Sequence, residues 1–149
     1  MQASDTPAVA ALIQAAFAAQ SVVTDPLPSA RLETAETVAA ELATGGGACA
    51  VIGDCVYGAL LWHREPNGLY IGRLSVAGDA RGQGVARALI AAAEVACKAH
   101  GLDRLLLSTR LVLADNRRLF ARCGFLETRE YAHPGFAHPT AVDMEKLVL

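Results

Sequence analysis

Leu74-Ser75-Val76-Ala77-Gly78-Asp79-Ala80-Arg81-Gly82-Gln83-Gly84-Val85-Ala86-Arg87-Ala88-Leu89-Ile90 reads as an apolar strand, a tight glycine turn and a helix that opens on the turn. Gly82 and Gly84 reach backbone conformations closed to other residues and let main-chain N–H groups approach a ligand. The helix adds its unpaired first-turn donors and the positive end of its dipole at the same point. Such a segment predicts a pocket for a phosphate-bearing group.

The spacing narrows the choice of ligand. A Walker A loop needs Gly-Lys-Ser/Thr, which does not occur, and a dinucleotide fingerprint needs a small residue where Arg87 stands. The pattern that fits is Arg/Gln-x-x-Gly-x-Gly/Ala, met by Arg81, Gly84 and Ala86.

On these residues the chain resembles the GNAT superfamily of N-acetyltransferases. Val56-Tyr57-Gly58-Ala59-Leu60-Leu61-Trp62 and the strand from Gly68 to Val76 are similar to the family's third and fourth strands. Residues 105–109 resemble the fifth, and Leu119-Phe120-Ala121-Arg122-Cys123-Gly124-Phe125 resembles the family's Leu-Tyr-x-x-x-Gly-Phe segment. The resemblance implies acetyl-CoA as cosubstrate. The main chain around Leu74, Ser75 and Val76 would hold the pantetheine arm and polarise the thioester carbonyl. Arg81 and the amides of Gly82, Gln83, Gly84, Val85, Ala86 and Arg87 would hold the pyrophosphate. Asn116 is similar to a cofactor-contacting asparagine of the family, but stands only four residues before Phe120, closer than usual; a helix cap is the alternative role.

At 149 residues the chain has the usual size of one domain, and 53% hydrophobic against 19% charged residues argues against disorder. A net charge of −2 without a basic block argues against a nucleic-acid partner. The apolar run at residues 8–19 follows Asp5 rather than a basic residue and is too short to span a bilayer, so with Ser4-Asp5-Thr6-Pro7 before it we read a helix, and no membrane partner. Cys49, Cys55, Cys97 and Cys123 form no Cys-x-x-Cys pair, which argues against a zinc site and fits reduced thiols in a cytoplasmic protein.

Periodicity and turn residues predict helices over residues 5–19, 31–43, 83–100 and from Asp115-Asn116 to Cys123. The stripe Val85, Leu89, Ala92, Ala96 marks the core side of the third helix. Strands are predicted over residues 48–52 and 56–63 as a hairpin around Gly53-Asp54, then 68–76, 105–109, 125–131 and 140–149. The expected fold is α/β (α+β): a GNAT-like mixed twisted sheet of about six strands with helices on both faces, in a single domain over residues 1–149. Only Met1 to Ser4 precede the first helix, so the family's first strand is short or missing. A sheet edge left unpaired in this way is a liability that self-association, such as a homodimer, or a covering segment would relieve.

Acetyl transfer needs an acceptor for the ammonium proton, donors facing the thioester oxygen and a proton for the leaving thiolate. Phe120 stands where the family commonly has a tyrosine acid, and a phenyl ring donates no proton. Ser108 occupies the position of the fifth-strand glutamate that serves some relatives as base. His63, Glu65, Glu127, Tyr131 and His133 remain as candidates, with Tyr70 and Trp62 as candidate walls of an acceptor pocket, formed with segments 20–30 and 132–139. Two functions follow. One is an N-acetyltransferase moving acetyl from acetyl-CoA to a primary amine of a small molecule or peptide terminus by direct attack. The other, favoured by Phe120, is a non-catalytic acyl-CoA-binding or regulatory module.

Overall fold

Two three-stranded antiparallel units joined at one parallel contact organise the chain. The computed structural model describes residues 1–149. Strands β1 (Gly46–Ile52), β2 (Cys55–Glu65), β3 (Gly68–Val76), β4 (Arg104–Arg110), β5 (Leu126–Tyr131) and β6 (Ala141–Leu147) form one sheet in the order β1-β2-β3-β4-β6-β5. Only β3 and β4 run parallel, and they pair at two positions alone, Leu69 with Leu105 and Tyr70 with Leu106.

Helix α1 (Thr6–Ala18) and helix α2 (Ala35–Thr44) cover one face; α3 (Val85–Ala99) and α4 (Ala114–Arg122) cover the other. Residues 31–34 do not start α2, contrary to expectation: Ser29–Leu32 form a 3-10 turn, and the Thr34 side chain caps α2 by accepting from the Thr37 N–H. On α3 the fully buried line is Leu89, Ala93 and Cys97 beside Ile90, while Val85 and Ala96 flank the core and Ala92 is half-buried. The sequence stripe was displaced by one residue because alanine gives little contrast between the two sides of a helix. These side chains meet Leu60, Leu69, Ile71, Leu105, Leu107, Val142 and Met144 from the sheet. Close approach requires Gly58: a Cβ there would stand 2.6 Å from Val85 Cγ1.

Gly124 ends α4 at φ +98°, its N–H donating to the Ala121 carbonyl and that of Phe125 to the Phe120 carbonyl. This reversal returns Phe125 to its own helix, where its ring meets Phe120 edge to face at 5.7 Å. Asp115 and Asn116 are not the cap of α4 but lie in its first turn; Leu113 holds the cap position. Before α1, Ala3–Asp5 form a 3-10 turn rather than a strand, and the Met1 ammonium donates to the Gly47 carbonyl on the β1 edge at 3.3 Å. No helix is long and apolar enough to cross a membrane.

Candidate active site

Leu60 of β2 faces two residues of β3, because Ala59 pairs with Ser75 while Leu61 pairs with Gly72. The extra residue is a β-bulge at Arg73-Leu74, and Arg73 takes φ +59°, left-handed backbone that costs a non-glycine residue about 1–2 kcal/mol. What holds it there is its side chain: Nε donates to Glu33 Oε1 at 3.0 Å and Nη2 to Ser29 Oγ at 3.0 Å. Beyond Tyr70, β3 and β4 have no further paired residues, and the main chain from Ile71 to Val76 has no strand partner on that side. Main-chain groups of β3 on that side are thus open to a partner other than β4.

The strand runs on into the glycine turn. Gly82 and Gly84 take φ +76° and +79°, and Gly84 is the residue from which α3 starts. No main-chain N–H from Arg81 to Arg87 donates to a carbonyl. These unpaired amides, with the first turn of a 15-residue helix behind them, fit a pyrophosphate. The side chains of Arg81 and Arg87 are exposed beside them. The predicted residues Leu74, Ser75 and Val76 thus lie in the parted strand, and Arg81, Gly82, Gln83, Gly84, Val85, Ala86 and Arg87 form the turn and helix start.

A cavity of about 550 Å³ opens at the inner end of the parting. Leu74 and Asn116 are the two predicted cofactor residues on its wall, and Phe120 forms part of its floor. Phe120 is buried at 8% exposure, so its ring is core packing as well as cavity surface. From the acceptor segments, Gln20, Pro28 and Ser29 line it on one side and His133 on the other.

The structure sorts the candidate bases. His63, Tyr70, Tyr131, His133 and Ser108 share the cavity wall. Glu127 does not: it takes two bonds from Arg117, at 2.7 and 3.0 Å, and that hydrogen-bonded guanidinium holds its carboxyl below the usual range. Glu65 also lies off this wall, 3.3 Å from His63 Nε2, and Trp62 packs against the core. The Ser108 and Tyr131 hydroxyls are 2.5 Å apart. His63 stacks on Tyr70 with ring centres at 5.0 Å. Burial, and then the charge of Arg110, keep His133 below its ordinary value, so it is neutral at pH 7.

Three charged groups on the wall, Arg73, Arg110 and Glu41, were not singled out from sequence. Each sits in a segment that looked like ordinary strand or helix surface. Burial raises the Glu41 carboxyl, as does the neighbouring Glu33, while Arg73 and His63 oppose. Glu33 itself is buried at 4% exposure.

Residues 10–125 match the Acetyltransferase (GNAT) family. The chain belongs to this family. The GNAT fold also appears in solved neighbours. The Escherichia coli ribosomal-protein-S18-alanine N-acetyltransferase superposes with TM-score 0.76 at 18% identity, over 99% of this chain and 90% of that one. A GNAT acetyltransferase from Staphylococcus aureus Mu50 gives TM-score 0.74 at 15% identity, over 100% and 96%. A Bacillus anthracis protein assigned as a streptothricin acetyltransferase, solved with acetyl coenzyme A, gives TM-score 0.65 at 19% identity over 70% of this chain and 62% of that one. No curated protein matches the sequence. The family membership establishes the acetyltransferase class; the acceptor is a separate question.

Proposed function

We propose that this GNAT chain is an acetyl-CoA-dependent N-acetyltransferase whose acceptor is a primary amine. The observation that carries the reading is continuity: unpaired amides at Arg81 to Arg87, an unpaired length of β3, and a cavity lined with titratable side chains follow one another along a single path. Acetyl-CoA supplies an activated acetyl thioester. The turn amides bind its pyrophosphate, and β3 from Val76 back to Leu74 orients its arm so that the thioester meets the cavity.

The amine nitrogen attacks the thioester carbon, the new N–C bond forms and the C–S bond breaks. Charge develops on the thioester oxygen, where an N–H of the parted β3 is the available donor. Net, one proton passes from nitrogen to sulfur, and an acceptor entering as ammonium loses one more to solvent. Phe120 takes no part in these transfers. We assign the proton handling to the bonded Ser108 and Tyr131 hydroxyls on the cavity wall.

The alternative, an acyl-CoA-binding module without turnover, is favoured by Phe120 alone. Release of the free thiol of coenzyme A, followed against a panel of primary amines, separates the two. Acetyl-CoA binding without thiol release for any amine would leave the binding module standing.

A further inference from the structure

Two guanidinium groups line the acceptor cavity, and they differ in one respect. Arg73 is neutralised by the buried Glu33 carboxylate at 3.0 Å. Arg110 has no carboxylate within 4.0 Å. Its protein partner is the Pro26 carbonyl, which accepts from Nη1 at 2.6 Å, while Asp25 acts only from a distance on an exposed loop. Partial burial of a guanidinium disfavours its charge, and one carbonyl leaves most of its five donors free. Such a group on a cavity wall is suited to a planar oxyanion, which a guanidinium grips through two parallel bonds.

The opposite sign is found elsewhere on the same wall. Glu41 and Glu33 share one arginine, so the group of three is one positive charge short, and burial and the Glu33 carboxyl both favour a proton on Glu41. An ammonium brought into the cavity supplies that charge in place of the proton. Between these two ends the wall carries His63, whose Nε2 lies 3.3 Å from Glu65, together with His133, neutral at pH 7, and the hydroxyl-bearing Ser108, Tyr131 and Tyr70.

We propose that the acceptor is a short amino carboxylate, held by its oxyanion on Arg110 and entering with its ammonium on the Glu41 side. The inference rests on the acetyltransferase reading and deepens it. A simple alkylamine, which carries no oxyanion, would leave Arg110 as unsatisfied as before. A cationic oligoamine would bring it repulsion. A polymer is also disfavoured, since both ends of the acceptor are read inside one cavity of about 550 Å³.

The test uses α-, β- and γ-amino acids, each paired with its primary amide, which differs by removal of the oxyanion. In calorimetric titrations into the protein saturated with coenzyme A, at least one amino acid should bind about tenfold or more tightly than its amide. Arg110→Gln should shrink that ratio towards one, and Arg110→Lys should restore part of it. Thiol release from acetyl-CoA should rank the pairs in the same order. Equal binding of acid and amide throughout, or an Arg110→Gln ratio equal to wild type, would overturn the proposal. The ratio is unaffected by a general loss of folded protein, and the wild-type comparison stands if Arg110→Gln does not fold. The arms also keep the two readings apart. Tight, oxyanion-dependent binding without thiol release would retain the ligand class and remove the enzyme; thiol release with acid and amide alike would do the reverse.

Discussion

The Tyr131 hydroxyl lies 2.5 Å from the Ser108 hydroxyl although β5 and β4 are separated by β6. Register explains how. Ala141 on β6 pairs with both Tyr131 and Arg110, and Asp143 pairs with Ser108, so these side chains share one face of the sheet. The small Ala141 side chain, paired with Tyr131 on this face, leaves the phenol room to reach the serine one strand further on. Tyr131→Phe should therefore reduce turnover by about 10²-fold or more, in line with loss of a general acid–base group, while acetyl-CoA affinity stays within calorimetric error. A parallel fall in affinity would instead make Tyr131 a binding residue.

Phe120→Tyr tests the same assignment from the other side. The position is buried and its ring is engaged with Phe125. An added hydroxyl there costs about 1–3 kcal/mol if unsatisfied, and should lower the melting temperature without raising turnover. A gain in rate for the best amine would move proton delivery back to position 120.

Gly84 holds φ +79° with nothing within 4 Å of a built Cβ. The protein itself leaves room for a side chain, so the constraint comes from backbone conformation and, on the proposed reading, from the pyrophosphate. Gly84→Val should destabilise by about 1–2 kcal/mol through the left-handed backbone and weaken acetyl-CoA binding more than about tenfold. Unchanged affinity in the folded variant would take the pyrophosphate away from this turn.

Glu41 has a pH signature. Its carboxyl is raised in the folded chain above 4.5, first by burial and then by Glu33, so above that pH the folded state binds more proton than the unfolded one. Stability should fall as pH rises from about 4.5 through the folded value. Glu41→Gln should remove that fall, read as converging melting curves at low pH and a more stable variant near neutrality. Wild-type and variant curves of the same slope would place the carboxyl in solvent.

Glu127→Gln should leave turnover unchanged, since the carboxylate is committed to Arg117. The loss of one surface ion pair should cost no more than about 1 kcal/mol, less at high salt. A large loss of rate with unaltered melting would reinstate Glu127 as a base.

How far the sequence could be read depended on whether a feature was local. The glycine turn, the strand before it and the Gly124-Phe125 reversal are set by neighbours in sequence, and each stands where expected. Ser108, Tyr131 and His133 were visible as residue types, but their meeting depends on β6 lying between β4 and β5, a fact of strand order that no spacing encodes. Arg73 escaped notice because the bulge that turns it inward arises from the register of β2 against β3. Glu41 escaped because its neighbours along α2 describe a solvent face, and only the fold brings Glu33 and Arg73 beside it. Glu127 was a reasonable candidate until Arg117, ten residues before it, claimed it.

The parting of β3 from β4 has a thermodynamic side. Six residues of a central strand, from Ile71 to Val76, have no partner on β4 where a sheet would ordinarily continue. On the proposed reading, a cosubstrate lying there would act as the missing length of sheet, and its binding energy would add to that of folding: at a hundred times the dissociation constant, about 2.7 kcal/mol. Abundance of this protein in a cell would then follow the supply of its acetyl donor, and slowed hydrogen exchange of the β3 amides would be the direct record of that dependence.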